Sequence, residues 1–287
     1  MNLENLLKLA EGQWLAPSFT FLMNAFKATP LPSHDHRHHY RVWQHARKLL
    51  VELDKKGFTA DYSFTESLLL ASMFHDAGML KERGKSHGEA GTRIFREFLE
   101  QSPLKPEQTE DILQVILDHD DKSYYLAGRL VKDGKIQLLP ALQISDDLDA
   151  YGFTGIYRYS EIYMLRGIPM EDLGLKIIAN VAGRYNNFMS NCSRLPEMVK
   201  MHSLRHHDIE SFFRTYNLQI HKKEETGKDP QSGPVAVVRH IYRQVMMNTA
   251  TIEEVCRNMA DFSEDEYVKR FFKILNDELE AFNYPAV

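Results

Sequence analysis

Phe74-His75-Asp76-Ala77-Gly78 is the stretch on which the reading of this chain turns. An apolar run precedes it, and helical spacing from about Phe64 to Phe74 puts Leu68, Ala71, Ser72 and His75 on one face. That spacing aims His75 inward, where an unpaired imidazole is costly and a metal ion would relieve the cost. Neighbouring helical residues point about 100° apart, so His75 and Asp76 reach one ion only where the helix ends. Gly78 permits such an end.

A second cluster lies upstream, Ser33-His34-Asp35-His36-Arg37-His38-His39-Tyr40-Arg41-Val42. It runs into a helix expected to reach Lys56 and to close at Gly57. Val42, Ala46, Leu49 and Leu53 form its apolar stripe, and one turn back the stripe lands on His38. On this reading His34 and His36 precede the helix, and His39 is rotated off the stripe. A helix from about Glu107 carries Ile112, Val115, Ile116 and His119 on one face, so His119 also points inward. In the helix over 138–150, Leu139, Leu142 and Asp146 share a face. An acid on an apolar face needs a partner, either a metal or an arginine. His38, His75, Asp76 and Asp146 thus stand inward at helix ends. A mixed imidazole and carboxylate set suits Mn, Fe, Co, Ni or Mg better than a structural zinc site.

The rest of the chain is read more coarsely. Two short N-terminal helices, Leu3 to Leu9 and Ser18 to Lys27, are expected on either side of Pro17. The loop Lys81-Glu82-Arg83-Gly84-Lys85-Ser86 carries three positive charges, suited to phosphate capture. His87 opens the next helix. A short hairpin is expected near Lys132 to Gln137, an exposed loop over Lys222 to Gly233, and helices elsewhere. In the second His-Asp pair, His207-Asp208, Asp208 is expected to cap a helix starting at Ile209.

The 287 residues are 43% hydrophobic and 26% charged, enough for one large domain or a domain with an appendage. A net charge of -5 argues against a broad nucleic-acid surface. Two cysteines, Cys192 and Cys256, in no metal-like spacing, fit a reducing, cytoplasmic setting. Neither a signal peptide nor a membrane-spanning run is seen. A homo-oligomer is left open, since the sequence does not show the oligomeric state.

Three motifs in order, His34 to Val42 (His-Asp-x-x-His-x-x-Arg-Val), His75 to Gly78, and Ser145 to Gly152, resemble those of the HD-domain superfamily of metal-dependent phosphohydrolases. The resemblance covers about His34 to Gly152. It implies an all-α HD-domain helical bundle with additional C-terminal helices: a metal-binding core over 1–160 and an accessory helical region over 161–287. The implied ligands are His38, His75, Asp76 and Asp146, holding one divalent ion. His87 and His119 match members that hold a second ion, with the Asp of the pair bridging. Members without a second metal use such histidines to meet the substrate phosphate. The implied activity is hydrolysis of a phosphoric ester or anhydride on a nucleotide or other small phosphorylated metabolite. Asp76 and His119 would act in catalysis, and Lys81 and Lys85 in substrate binding. Two other readings stay open within the superfamily: a di-iron oxygenase and a non-catalytic binding or regulatory domain.

Overall fold

Asn2 caps the first helix by accepting from the Asn5 amide, and that helix, α1 (Leu3–Phe26), does not stop at Pro17. The two helices expected here are one. Proline removes a single backbone bond, which costs about 3 kcal/mol in isolation. Trp14, Phe19 and Leu22, all buried on both sides of the proline, hold the helix against the core. Trp14 also donates to the buried Glu66 carboxylate at 2.7 Å. Glu66 accepts as well from the Tyr62 hydroxyl and the Glu107 amide, so the buried acid is fully served.

A computed structural model describes the chain apart from residues 28, 30, 83, 85, 122–127, 229, 247–250, 263 and 286–287, and the side chains of 259–262. Among the described residues it is all-α apart from one two-stranded hairpin. After α1 come a 3-10 turn (Pro32–His34), α2 (His36–Asp54), α3 (Tyr62–Phe74), a second 3-10 turn (Ala77–Leu80), α4 (His87–Gln101) and α5 (Thr109–Asp118). The hairpin pairs β1 (Val131–Lys132) with β2 (Lys135–Ile136), antiparallel. Asp133 and Gly134, with φ of 52° and 75°, make its two-residue turn. Then follow α6 (Leu138–Asp149), α7 (Gly152–Leu165), α8 (Met170–Cys192), α9 (Pro196–Thr226), α10 (Pro234–Met246), α11 (Ile252–Phe262) and α12 (Glu266–Glu280).

Helices α2, α3 and α6 pack on one another, and α1 covers α3. Helix α9 lies against α7 and α8, and α11 against α12. One buried cluster runs from Leu3 to Leu279, and α7 passes through residue 160 without a break. No helix among the described residues is long and apolar enough to cross a membrane. Both cysteines are free and buried.

Further differences from the sequence reading concern α2 and α9. Asp35 caps α2, accepting from the Arg37 and His38 amides, so His36 is the first helical residue rather than a flanking one. His39 is not turned away: it is fully buried against Phe26 and His75. Asp208 caps nothing, because it lies inside α9. Buried Met198, Ile209, Phe213 and Tyr216 keep one apolar stripe running through that position. The charged stretch after Lys222 stays helical to Thr226, being rich in good helix formers, and ends where Gly227 adopts φ 67°. The exposed loop is therefore shorter than expected, beginning at Gly227.

Candidate functional site

The two turns after α3 bring the His-Asp pair to the meeting point of four helices. His75 is the C-cap of α3 and Asp76 starts the 3-10 turn Ala77–Leu80. That turn lies against the start of α4 with no room for a side chain at Gly78. A Cβ there would stand 1.8 Å from the His87 carbonyl oxygen. This contact sets His87 beside Asp76. His119 is the C-cap of α5, His38 sits in the first turn of α2, and Asp146 lies in α6.

The six side chains form two groups that share Asp76. In the first, His38 Nε2 is 3.2 Å from His75 Nε2, 3.5 Å from Asp76 Oδ2 and 3.6 Å from Asp146 Oδ1. In the second, Asp76 Oδ1 lies 3.3 Å from His87 Nε2 and 3.0 Å from His119 Nε2, and the two histidine nitrogens are 3.1 Å apart. Asp76 gives one oxygen to each group. Within either group the donor atoms all lie within 4.8 Å of one another. Adjacent ligands around an ion with bonds of ~2.1 Å stand ~3 Å apart, so both groups could hold a divalent ion.

The donor chemistry supports that fit. Each of the four imidazoles has its Nδ1 facing an outer acceptor: His75 the Ser72 carbonyl at 2.9 Å, His87 the Gly84 carbonyl at 2.6 Å, His119 the Ile116 carbonyl at 2.7 Å, and His38 Asp149 at 2.8 Å. These bonds assign the proton to Nδ1 and leave each Nε2 with a lone pair aimed inward. Two such lone pairs 3.2 Å apart repel unless a positive charge lies between them. Without an ion, protons serve that purpose. Burial disfavours the His75 cation, but Asp76 and Asp146 outweigh it and raise its pKa to about 10. Burial likewise opposes the His87 cation, and Asp76 prevails, giving about 9. Burial alone would raise the Asp76 pKa, yet the His75 charge beside it holds it well below the usual carboxylate range.

The second half of the chain completes the site. Arg158, from α7, is mostly buried, and its Nη2 lies 3.3 Å from Asp146 Oδ1, 3.2 Å from His38 Nε2 and 3.4 Å from His34 Nε2. Arg184, from α8, donates to Asp146 at 3.3 Å and to Asp147 at 2.5 Å. Asp146, for which the sequence left metal and arginine as alternatives, has both the cluster and two arginines. Asp149 accepts from Arg41 Nε at 2.8 Å, Arg41 Nη2 at 3.1 Å and Arg158 Nη1 at 3.1 Å, besides His38. His34 is buried in the 3-10 turn before α2, its Nδ1 2.6 Å from Ser33 Oγ, which in turn donates to Glu161 at 2.5 Å.

The sequence reading thus named the six clustered residues but no role for Arg41, Asp149, Arg158, Arg184 or His34. Arg158 carried the signal that singled out Asp146, a charge between Gly155 and Ile162 on the inward face of its helix. Arg184 carried no comparable signal. Lys81 is exposed at the end of the 3-10 turn and does not line the cavity over Asp76. Arg83 and Lys85 lie outside the described residues.

That cavity has a volume of about 580 Å³. Its floor is Asp76, His87, His119 and Asp146, and α7 and α8 form one wall. No curated protein and no solved structure matches the chain. The family model of the HD domain matches residues 36–151, a stretch that contains all six clustered side chains but neither His34, Arg158 nor Arg184. HD domains bind divalent metals, and most of the family are metal-dependent hydrolases. Residues 36–151 thus carry the likeness to the HD domain, the domain of a superfamily of metal-dependent phosphohydrolases.

Proposed function

We propose that this protein hydrolyses a phosphoric ester or anhydride of a nucleotide or other small phosphorylated metabolite. The observation that carries the reading is the division of Asp76, one oxygen facing His38 and His75, the other facing His87 and His119. On this reading His38, His75, Asp76 and Asp146 hold one divalent ion, Mn, Fe, Co, Ni or Mg, and Asp76, His87 and His119 hold a second where two are bound. A bound ion supplies positive charge that lowers the pKa of a water and polarises the phosphoryl oxygen.

The protein's own groups do the rest. Asp149 orients His38 through its Nδ1–H. Arg158 and Arg184 fix Asp146 and stand ready to offset negative charge that grows on the phosphoryl oxygens. Residues 161–287 act as an accessory region that supplies Arg184 and the outer wall of the cavity. These arginines take the phosphate-facing role at the floor; Lys81 does not line the cavity, and Lys85 lies outside the described residues.

The test is metal content per chain by elemental mass spectrometry beside a phosphatase panel, on wild type and Asp76→Ala. Metal-dependent turnover that vanishes in Asp76→Ala, with helical content kept, supports the assignment. Turnover surviving that change would sink it. A second reading, a di-iron oxygenase, is favoured by the second histidine group alone. Two equivalents of iron with an oxygen-sensitive optical signal, and no phosphatase activity, would select it.

A further inference from the structure

The α7 side of the cavity has an order of its own. Tyr159, Tyr163 and Arg166 recur at i, i+4 and i+7 on α7, and all three line the cavity. At 1.5 Å per residue, Tyr159 and Arg166 are separated by about 10 Å along the helix. Tyr159 stands at the inner end: its hydroxyl donates to Asn180 Oδ1 at 2.7 Å, and the Arg184 guanidinium lies 5.8 Å from its ring centroid. Arg184 Nε donates to the same Asn180 oxygen at 3.0 Å, so this end is tied to Asp146. Tyr163 packs edge-on to Tyr159, ring centroids 5.6 Å apart.

Arg166 closes the strip at the outer end. It caps α7, is exposed at the cavity wall, and has no carboxylate partner among the described residues. An arginine held at the C-terminus of a helix is favourably placed by the helix dipole. Its planar fork suits phosphate or carboxylate. From the floor outward the strip reads cation, aromatic, aromatic, cation. A substrate with one negative group would use only the inner end.

We propose that the α7–α8 wall reads a substrate with two separated anionic groups. The reacting phosphoryl group meets Arg158 and Arg184 at the floor, a planar body lies against Tyr163, which the buried Tyr159 backs, and Arg166 takes the second anion, a phosphate or a carboxylate. This specificity rests on the phosphohydrolase reading above, and it assigns recognition to residues outside the matched domain.

Three matched probes test it: phenyl phosphate, 4-carboxyphenyl phosphate and 1,4-phenylene bisphosphate. The metal-loaded wild type is expected to prefer each two-anion probe over phenyl phosphate by about tenfold in kcat/KM, the size of one charge-assisted hydrogen bond. In Arg166→Ala the ratio should fall to about one, and Arg166→Lys should restore part of it. The difference between the carboxylate and phosphate probes tells which anion the outer site takes. A ratio near one in wild type, or a preference that Arg166→Ala leaves intact, overturns the proposal. If the wild type hydrolyses none of the three, the phosphohydrolase reading stands or falls on the phosphatase panel above, not on these probes. Calorimetric binding of the same probes then decides the outer site: tighter binding of the two-anion probes that depends on Arg166 upholds it, and equal binding rejects it.

Discussion

His38 Nδ1 lies 2.8 Å from Asp149 Oδ2, and both residues are fully buried. The bond ties α2 to the end of α6 and turns the other nitrogen of His38 toward His75. Burial by itself would raise the Asp149 pKa, but Arg41 and the hydrogen bond from His38 hold it well below the usual range. Its charge is therefore present throughout the working pH range. Asp149→Asn keeps the shape and removes the charge. Metal affinity, by titration against a chelator, is expected to weaken about 10- to 100-fold. Leaving Arg41 and Arg158 against a neutral amide should cost about 3 kcal/mol of stability. Unchanged affinity would mean that His38 does not need this partner.

Asp76 and Asp146 make separable contributions. Asp76 supplies an oxygen to both groups, whereas Asp146 belongs to the first alone. Elemental mass spectrometry on protein that takes up two ions should find about one left in Asp146→Ala and essentially none in Asp76→Ala. Far-UV circular dichroism should stay near wild type in both, since neither carboxylate caps its helix: Asp76 makes no side-chain cap bond and Asp146 bonds arginines of other helices. Asp76→Ala with wild-type metal content would remove the basis for treating the two groups as one centre.

How much of this was legible in the chain depended on periodicity. The α2 stripe pointed to His38 because Val42, Ala46 and Leu49 pack inward at helical spacing, and these residues are indeed fully buried. The same logic found His75, His119 and Asp146. It failed where tertiary packing overrides a local signal: at Pro17, which the buried Trp14 and Phe19 carry inside a continuous helix. It failed at Asp208 for the same reason. His39 was misread because an apolar stripe marks only the widest buried face, and α2 is enclosed on more than that face. Arg184 stands 38 residues along the chain from Asp146, and no local pattern relates α8 to that carboxylate. Long-range ion pairs of this kind are set by topology, which spacing within one helix does not encode.

Gly78 fixes where His87 stands. A Cβ at that position would meet the His87 carbonyl oxygen at 1.8 Å and the Gly91 amide nitrogen at 2.6 Å, both backbone atoms. Neither can swing aside as a side chain would. Gly78→Ala should therefore push the start of α4 from the 3-10 turn and lower stability by about 3 kcal/mol, at the upper end for overpacking. Thermal unfolding reads the stability. Metal stoichiometry reads the geometry: loss of His87 from the second group, with the first retained, is expected. Gly84→Ala, where an added Cβ meets nothing within 4 Å, serves as the neutral control. A Gly78→Ala protein as stable as that control would contradict the contact.

Glu161 predicts how stability depends on pH. It is fully buried on α7, accepts from the Ser33 amide at 3.1 Å, and leaves Oε2 with no hydrogen-bond partner. Burial raises its pKa from 4.5 to about 7 despite the bonds from Ser33. A raised carboxylate pKa means that the folded state holds a proton the unfolded state has lost. Its stabilising share is thus whole below pH 4.5, falls as pH rises through about 7, and stays flat above. Glu161→Gln keeps the acceptor for Ser33 and removes the ionisation. The variant should match wild type near pH 4.5 and gain on the order of 3 kcal/mol over it at pH 8, measured by denaturant unfolding across that range. The difference between the two curves should develop between pH 4.5 and 7. Parallel curves across that window would show that Glu161 ionises as freely in the folded protein as in the unfolded chain.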